Sequence, residues 1–178
     1  FTQSNTLVNT ADEGNGMKKA RDSFYVALRD RLQVLNPSRQ VMIRGVWRPG
    51  VLVEENESFG PTLPDNVFML RWTKAAVDKQ HALPRAEQVC EIQYQTAGTP
   101  TAGGMDRGAL LTAMDAELLA ILQPQQAQKF DYSTTPLTAM ATVVFWGDAV
   151  FGPVTRERDR VVRKAEISVV SYEEAGEI

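Results

Sequence analysis

The sequence predicts an α+β fold, a mostly antiparallel or mixed β-sheet with two main helices packed on it. Three observations carry that expectation. Val89-Cys90-Glu91-Ile92-Gln93-Tyr94-Gln95 alternates, with Cys90, Ile92 and Tyr94 on one face and Glu91, Gln93 and Gln95 on the other, the period of a strand covered on one side. From about Asp106 to Leu122, Leu110, Met114, Leu118 and Ile121 recur at helical spacing, with Leu111 and Leu122 beside them. Along the chain the order is helix, two strands, strand, strand, helix, strand, strand. The links are short or irregular and there is no βαβ alternation, which disfavours a Rossmann-like sheet.

In chain order, residues 1–16 are polar and without period, and are expected to form a flexible arm. Met17 opens the first regular pattern, so the folded unit, a single domain over 17–178, is expected to start there; Met17 is also a candidate start codon. Met17, Phe24, Leu28, Leu32 and Leu35 form the stripe of a first helix flanked by Tyr25, with Lys18, Lys19, Asp22, Arg29, Asp30 and Gln33 on the wet side. Asn36-Pro37 ends it, because the residue before proline is pushed out of the α region. Val41 to Trp47 and Val51 to Glu55 are expected to pair as a hairpin around Arg48-Pro49-Gly50. Phe59 to Asp65 is loop, and Asn66 to Trp72 is apolar on both faces, as in a buried strand. Lys74 to Arg85 is expected to be a polar connection. After the second helix, Pro124 is the stop, and Gln125 to Pro136 is expected to be irregular. Ala139 to Trp146 is a further strand, and Arg160 to Tyr172 the last, with Ile167 and Val169 opposite Lys164, Glu166 and Ser168.

Composition excludes several classes. The chain has 178 residues, 43% hydrophobic and 23% charged, with net charge −3. That is ordinary for one soluble globular domain and gives no electrostatic drive toward nucleic acid. The lone Cys90 forms no internal disulfide and is expected to be a small buried hydrophobe. No apolar run reaches the roughly 18 residues of a membrane span, and no signal-peptide pattern is visible, so the cytoplasm of a producing cell is the expected site of synthesis.

Candidate chemistry is thin. Gly98-Thr99-Pro100-Thr101-Ala102-Gly103-Gly104-Met105 has the glycine spacing of a phosphate loop, but Gly104 stands where the lysine is needed and Met105 where the Mg²⁺-holding hydroxyl is needed. The expected role is a flexible joint, with Asp106 capping the helix. His81 is the one histidine, so no Cys/His zinc set exists, and a Cys90–His81 nucleophilic pair is disfavoured because Cys90 lies inside a strand. Glu54, Glu55 and Glu57 lack the ordered spacing of a Ca²⁺ loop. None of Ser23, Ser38, Ser58, Ser133, Ser168 and Ser171 stands in a G-x-S-x-G setting. No catalytic residue, cofactor or metal is expected.

Two surface features remain. The helix face opposite the core stripe carries Ala113, Ala116 and Ala120, where a free surface helix more often shows Lys, Glu or Arg. Small residues allow a second element to approach closely, so this face is a candidate subunit interface; the plainer reading is helix propensity. Arg156, Arg158, Arg160, Arg163 and Lys164 form the densest basic run, broken by Glu157 and Asp159. It is expected to be a protruding loop, either a soluble loop with internal ion pairs or a contact arm reaching a neighbouring acidic protein or passing DNA, the interleaved acids weakening the DNA version.

Several segments carry a resemblance. They are Ala20-Arg21-Asp22-Ser23-Phe24-Tyr25-Val26-Ala27-Leu28-Arg29-Asp30-Arg31-Leu32, Leu35-Asn36-Pro37-Ser38-Arg39, Ile43-Arg44-Gly45, Pro49 and Val53-Glu54-Glu55-Asn56-Glu57. Further on come Tyr94-Gln95-Thr96, Met105-Asp106-Arg107-Gly108 and Val170-Ser171-Tyr172-Glu173-Glu174. Together they resemble the small tail proteins of tailed bacteriophages, specifically the tail terminators at the head-proximal end of the tail. The likeness spans most of residues 17–174. It implies a compact α/β subunit that forms a homohexameric ring in the virion, assembled in the host cytoplasm. Such a ring caps the tail tube protein, ends its polymerisation and offers a docking surface to the head-tail connector. DNA passes through the lumen without specific binding, and no membrane is involved. A head-tail connector or head-completion protein shares this size and style; a tail assembly chaperone and a small enzyme with an atypical site are the remote alternatives.

Overall fold

The computed structural model describes residues 13–57 and 62–177, with side chains from Met17 onward. The fold is α+β, as the sequence predicts. The first helix, α1, spans Glu13–Leu35. Ala20, Phe24, Leu28 and Leu32 recur every fourth residue and are wholly buried, whereas Leu35 at the end of the stripe is half exposed. The helix starts before Met17, because propagating an existing helix by a turn needs no further burial. Residues 13–16 are therefore helical rather than an arm, and the rest of the expected arm lies outside the described residues.

The hairpin is displaced from its expected position. Its strands are β1 (Gln40–Ile43) and β2 (Val46–Pro49), joined at Arg44-Gly45. Both turn residues have positive φ, +51° and +80°, as a two-residue primed turn demands; Gly45 adopts this freely and Arg44 is carried with it. The Pro-Gly pair lies instead where the chain leaves the hairpin for β3 (Val51–Val53).

β3 pairs in parallel with β4 (Phe68–Asp78), which pairs antiparallel with β5 (Arg85–Thr96). The expected connection from Lys74 to Arg85 is thus shorter than predicted: residues 74–78 continue β4 and Arg85 opens β5, by backbone pairing that runs to Asp78↔Arg85 although Lys74, Ala75 and Ala76 are exposed. Then follow α2 (Arg107–Ile121), β6 (Gln126–Asp131), β7 (Thr138–Trp146), β8 (Val150–Phe151), β9 (Thr155–Glu157) and β10 (Arg160–Tyr172). β6 falls in the segment expected to be irregular. The sheet order is β3-β4-β5-β10-β7-β6, with β8 and β9 also paired to β10.

Both helices cover one face of this sheet. Phe24 of α1 meets Trp72 and Trp146 edge-on, at centroid distances of 5.8 and 5.0 Å, which ties β4 and β7 to the helix layer. From α2, Leu111, Met114, Leu118 and Ile121 enter the same core as Cys90, Ile92, Tyr94, Ile167 and Val169. On β3 and β4 the alternate residues Leu52 and Met69 point to the opposite face, where with Val67 they are covered by Val41 and Ile43 of the β1–β2 hairpin.

A buried charge cluster holds the chain beyond β10. Lys129 of β6 is wholly enclosed and donates to Tyr172 O (2.7 Å) and Glu177 Oε2 (2.8 Å). Glu173 is buried alongside and accepts from Ser171 Oγ (3.0 Å), leaving two carboxylates around one lysine. One oxygen of each, Glu173 Oε2 and Glu177 Oε1, has no hydrogen-bond partner. Burial first, then the Glu177 charge, pushes the Glu173 carboxyl above its ordinary range, against the opposing pull of Lys129. A carboxyl with a raised folded-state pKa binds its proton more tightly in the native chain. Its contribution is therefore most favourable at and below the ordinary glutamate range and declines as pH rises through the folded value. Glu173→Gln is expected to lessen that decline: the urea midpoints of variant and parent should converge near pH 4.5 and separate at pH 7.5, with the variant higher. A variant lower at pH 7.5 would show that the ionised carboxylate stabilises the fold.

Candidate functional site

The buried residues of α2 define its outward side. Ala109, Thr112, Ala113, Ala116, Leu119 and Ala120 are all exposed, so the three alanines expected at an interface face outward. The carboxylates of this part of the helix are drawn to its flanks. Asp115 accepts the Tyr94 hydroxyl and, at 2.6 Å, Arg163 Nη1. Burial and then Asp115 push the Tyr94 phenol well above its ordinary pKa, so it remains a donor. Glu117 accepts from Asn36 Nδ2 (2.8 Å) and, through both oxygens, from Arg39. Arg39 also donates to Asn66 O (3.1 Å) and lies over the Phe68 ring. With both acids engaged sideways, the outward face carries no charge.

This face continues onto the end of α1. Leu35, Asn36, Ala116, Glu117 and Ala120 line an open groove of about 340 Å³. Val34 beside Leu35 is 84% exposed, and Leu119 is half exposed. Large apolar side chains clustered on a surface mark a contact region more often than scattered ones do.

Both ends of α2 are fixed. At its C-terminus, Trp146 Nε1 donates to Leu122 O (2.9 Å), while Arg31 donates to Ile121 O, Pro124 O and Gln126 O at 2.8–3.0 Å. At its N-terminus the Gly-rich link is pinned rather than a flexible joint. The Asp106 side chain makes no cap bond to the helix; it accepts from Thr99 N (2.9 Å) and Thr99 Oγ1 (2.8 Å). A Cβ on Gly98 would stand 2.7 Å from both Asp106 Oδ1 and Gly104 Cα, so the phosphate-loop spacing reflects close backbone packing.

The basic run forms a hairpin rather than a loose loop: β9 and β10 are joined at Arg158-Asp159. It divides the four arginines. Arg156 and Arg158 are exposed and have no ion-pair partner among the described residues. Arg160 is held by Asp65 and Asp159, both at 2.8 Å, and Arg163 by Asp115. A second apolar surface, which sequence reading passed over, lies on the β1–β2 hairpin, where Met42, Val46 and Trp47 are exposed, Trp47 by 60%.

The remaining candidates are not brought together. His81 is exposed near Asp78 (3.6 Å), in the link before β5. Cys90 is buried mid-strand with its thiol pKa raised by burial, five residues, or roughly 17 Å, along β5 from Arg85. Glu54, Glu55 and Glu57 each face a different arginine: Arg71, Arg21 and Arg48. Among the described residues no group of three or more His, Cys, Asp or Glu is arranged to hold a metal ion, and no helix is long and apolar enough to cross a membrane.

No family model and no curated protein sequence matches the chain. Among solved structures, it is similar to a chain from the virion of a native gene transfer agent particle, at 13% identity, covering 87% of this chain and 98% of that one, with a TM-score of 0.32. At that level of superposition the likeness decides nothing about function.

Asp115→Ala leaves the Tyr94 hydroxyl and the Arg163 guanidinium without their shared acceptor and is expected to cost about 1–3 kcal/mol in urea unfolding. Leu119→Ala, on the outward face, is expected to stay within about 0.5 kcal/mol. Equal losses would mean that the face assigned outward belongs to the core.

Proposed function

We propose that this chain is a structural subunit of a phage-like virion that works by assembling with copies of itself. In the more specific form, residues 17–178 act as one unit. Six copies form a tail terminator ring that caps the tail tube, ends its polymerisation and presents a docking surface to the head-tail connector, at the head-proximal end of the tail. The observation that carries this reading is the uncharged outward face of α2, continuous with half-exposed Leu35 at the end of α1. A helix surface without charge, beside acids satisfied within the chain, suits close contact with protein better than contact with water. The segments that resemble tail terminators point the same way.

A ring above a dimer needs two different patches on each copy, because its contacts are heterologous. The α2 face supplies one and the β1–β2 hairpin supplies a candidate for the other. Arg156 and Arg158, free of internal partners among the described residues, suit a polar contact with a neighbouring virion protein. With net charge −3, DNA in the lumen would pass without specific binding. On this reading the protein is not an enzyme and uses no cofactor.

Ala116→Glu places a charge at the centre of the outward face without touching the core. The expected outcome is a soluble, folded protein that no longer assembles in sedimentation velocity, alone or with tail tubes. Assembly at the parental level would show that the alanines serve helix propensity alone.

A further inference from the structure

Resting on the self-assembly reading, we infer that the β1–β2 hairpin of one copy seats in the groove between the end of α1 and the outward face of α2 on the next copy. The hairpin is two-sided. Val41 and Ile43 pack on Leu52, Val67 and Met69. Met42 and Trp47, directly opposite one another in the ladder, share the other side and are exposed, as is Val46 at the tip. Arg44 in the turn is exposed and has no ion-pair partner among the described residues. The outer side of the ribbon thus offers an aromatic anchor and one further apolar side chain, Met42, with Arg44 as an unpaired cation in the turn; Val46, opposite Ile43, lies on the inner side.

The groove offers the complement. Its walls are Leu35, Ala116 and Ala120, with Asn36 and Glu117 at its margin, and it is open and shallow, so that an aromatic ring can lie flat against the small alanine side chains. Its electrostatics favour a cation. It opens at the C-terminus of α1, where Asn36 N closes the last turn on Leu32 O (2.8 Å) and Pro37 has no N–H to offer Gln33 O. No basic residue stands in that last turn, so the helix dipole favours a further cation there. Glu117 on the rim is already held by Arg39. Arg44 would supply that further cation.

Within one copy no hairpin residue lines the groove, whose walls come from α1, the residue after it, and α2. The inner side of the hairpin is held on Leu52, Val67 and Met69. The match is therefore made between copies, and because the two surfaces differ, the contact is heterologous, the kind that closes a ring.

The test is disulfide trapping with Met42→Cys, which keeps the Trp47 anchor, and Ala116→Cys, prepared separately; native Cys90 is wholly buried and silent. After mild oxidation, only the mixture of the two variants is expected to give a cross-linked dimer on a non-reducing gel. Trp47→Ala, with an unchanged circular dichroism spectrum, is expected to weaken self-association about tenfold or more, as truncation of a central aromatic anchor does. An uncross-linked mixture that still assembles in sedimentation velocity overturns the hairpin assignment and leaves the self-assembly reading standing, as does a cross-link in Ala116→Cys alone. Absence of any assembly by the parent protein, alone or with tail tubes, overturns both.

Discussion

The sideways capture of Asp115 and Glu117 governs how this chain meets its surroundings. A helix of this composition would ordinarily keep its acids in water. Here one is held by Tyr94 and Arg163 and the other by Arg39 and Asn36. These are charge-assisted hydrogen bonds in partly buried settings, stronger than exposed surface pairs. They set the rotation of α2 about its axis, so the apolar stripe enters the core and the small residues face outward. They also join α2 to β5, to β10 and to the turn after α1, so the outward face and the groove beside it hold a fixed relation to the sheet.

The rest of the fold keeps that surface rigid. Phe24 wedged between Trp72 and Trp146 locates α1 over the sheet. Arg31 and Trp146 together satisfy the carbonyls where α2 ends, groups that would otherwise need water. Asp106 and the tight glycine packing fix where α2 begins. On the far face, the small cluster under Val41 and Ile43 holds the β1–β2 hairpin at the sheet margin with its other side free. On the proposed reading this stiffness favours assembly, because ordering a contact surface before association lowers the entropic cost of binding.

Much of this architecture is legible in the sequence where burial is one-sided. β5, α2 and β10 announce themselves because apolar residues return at the period of the element, and the alanines of α2 were placed on the exposed side by the same count. Elsewhere the pattern is masked. β6 reads as irregular because its inward position is Lys129, a charge made tolerable by Glu177, which lies far along the chain. The second half of β4 reads as a polar link because backbone pairing, not burial, sustains it there. The hairpin turn falls earlier than the sequence predicts because Pro-Gly is the louder turn signal, while Arg44-Gly45 depends on one non-glycine residue accepting a left-handed backbone. That Arg160 and Arg163 are the internally paired members of the basic run is not legible in the sequence, because Asp65 and Asp115, their partners, are distant in sequence and local only after folding. The apolar hairpin surface was hidden for the same reason: only the register shows that Met42 and Trp47 share a side.

The central claim is that this chain functions through contacts between its own copies. Negative-stain electron microscopy of the purified protein, alone and mixed with tail tubes, tests it most directly. The account predicts six-fold ring averages, free in solution or seated on tube ends. Single globular particles under both conditions, with tube ends left bare, would contradict it.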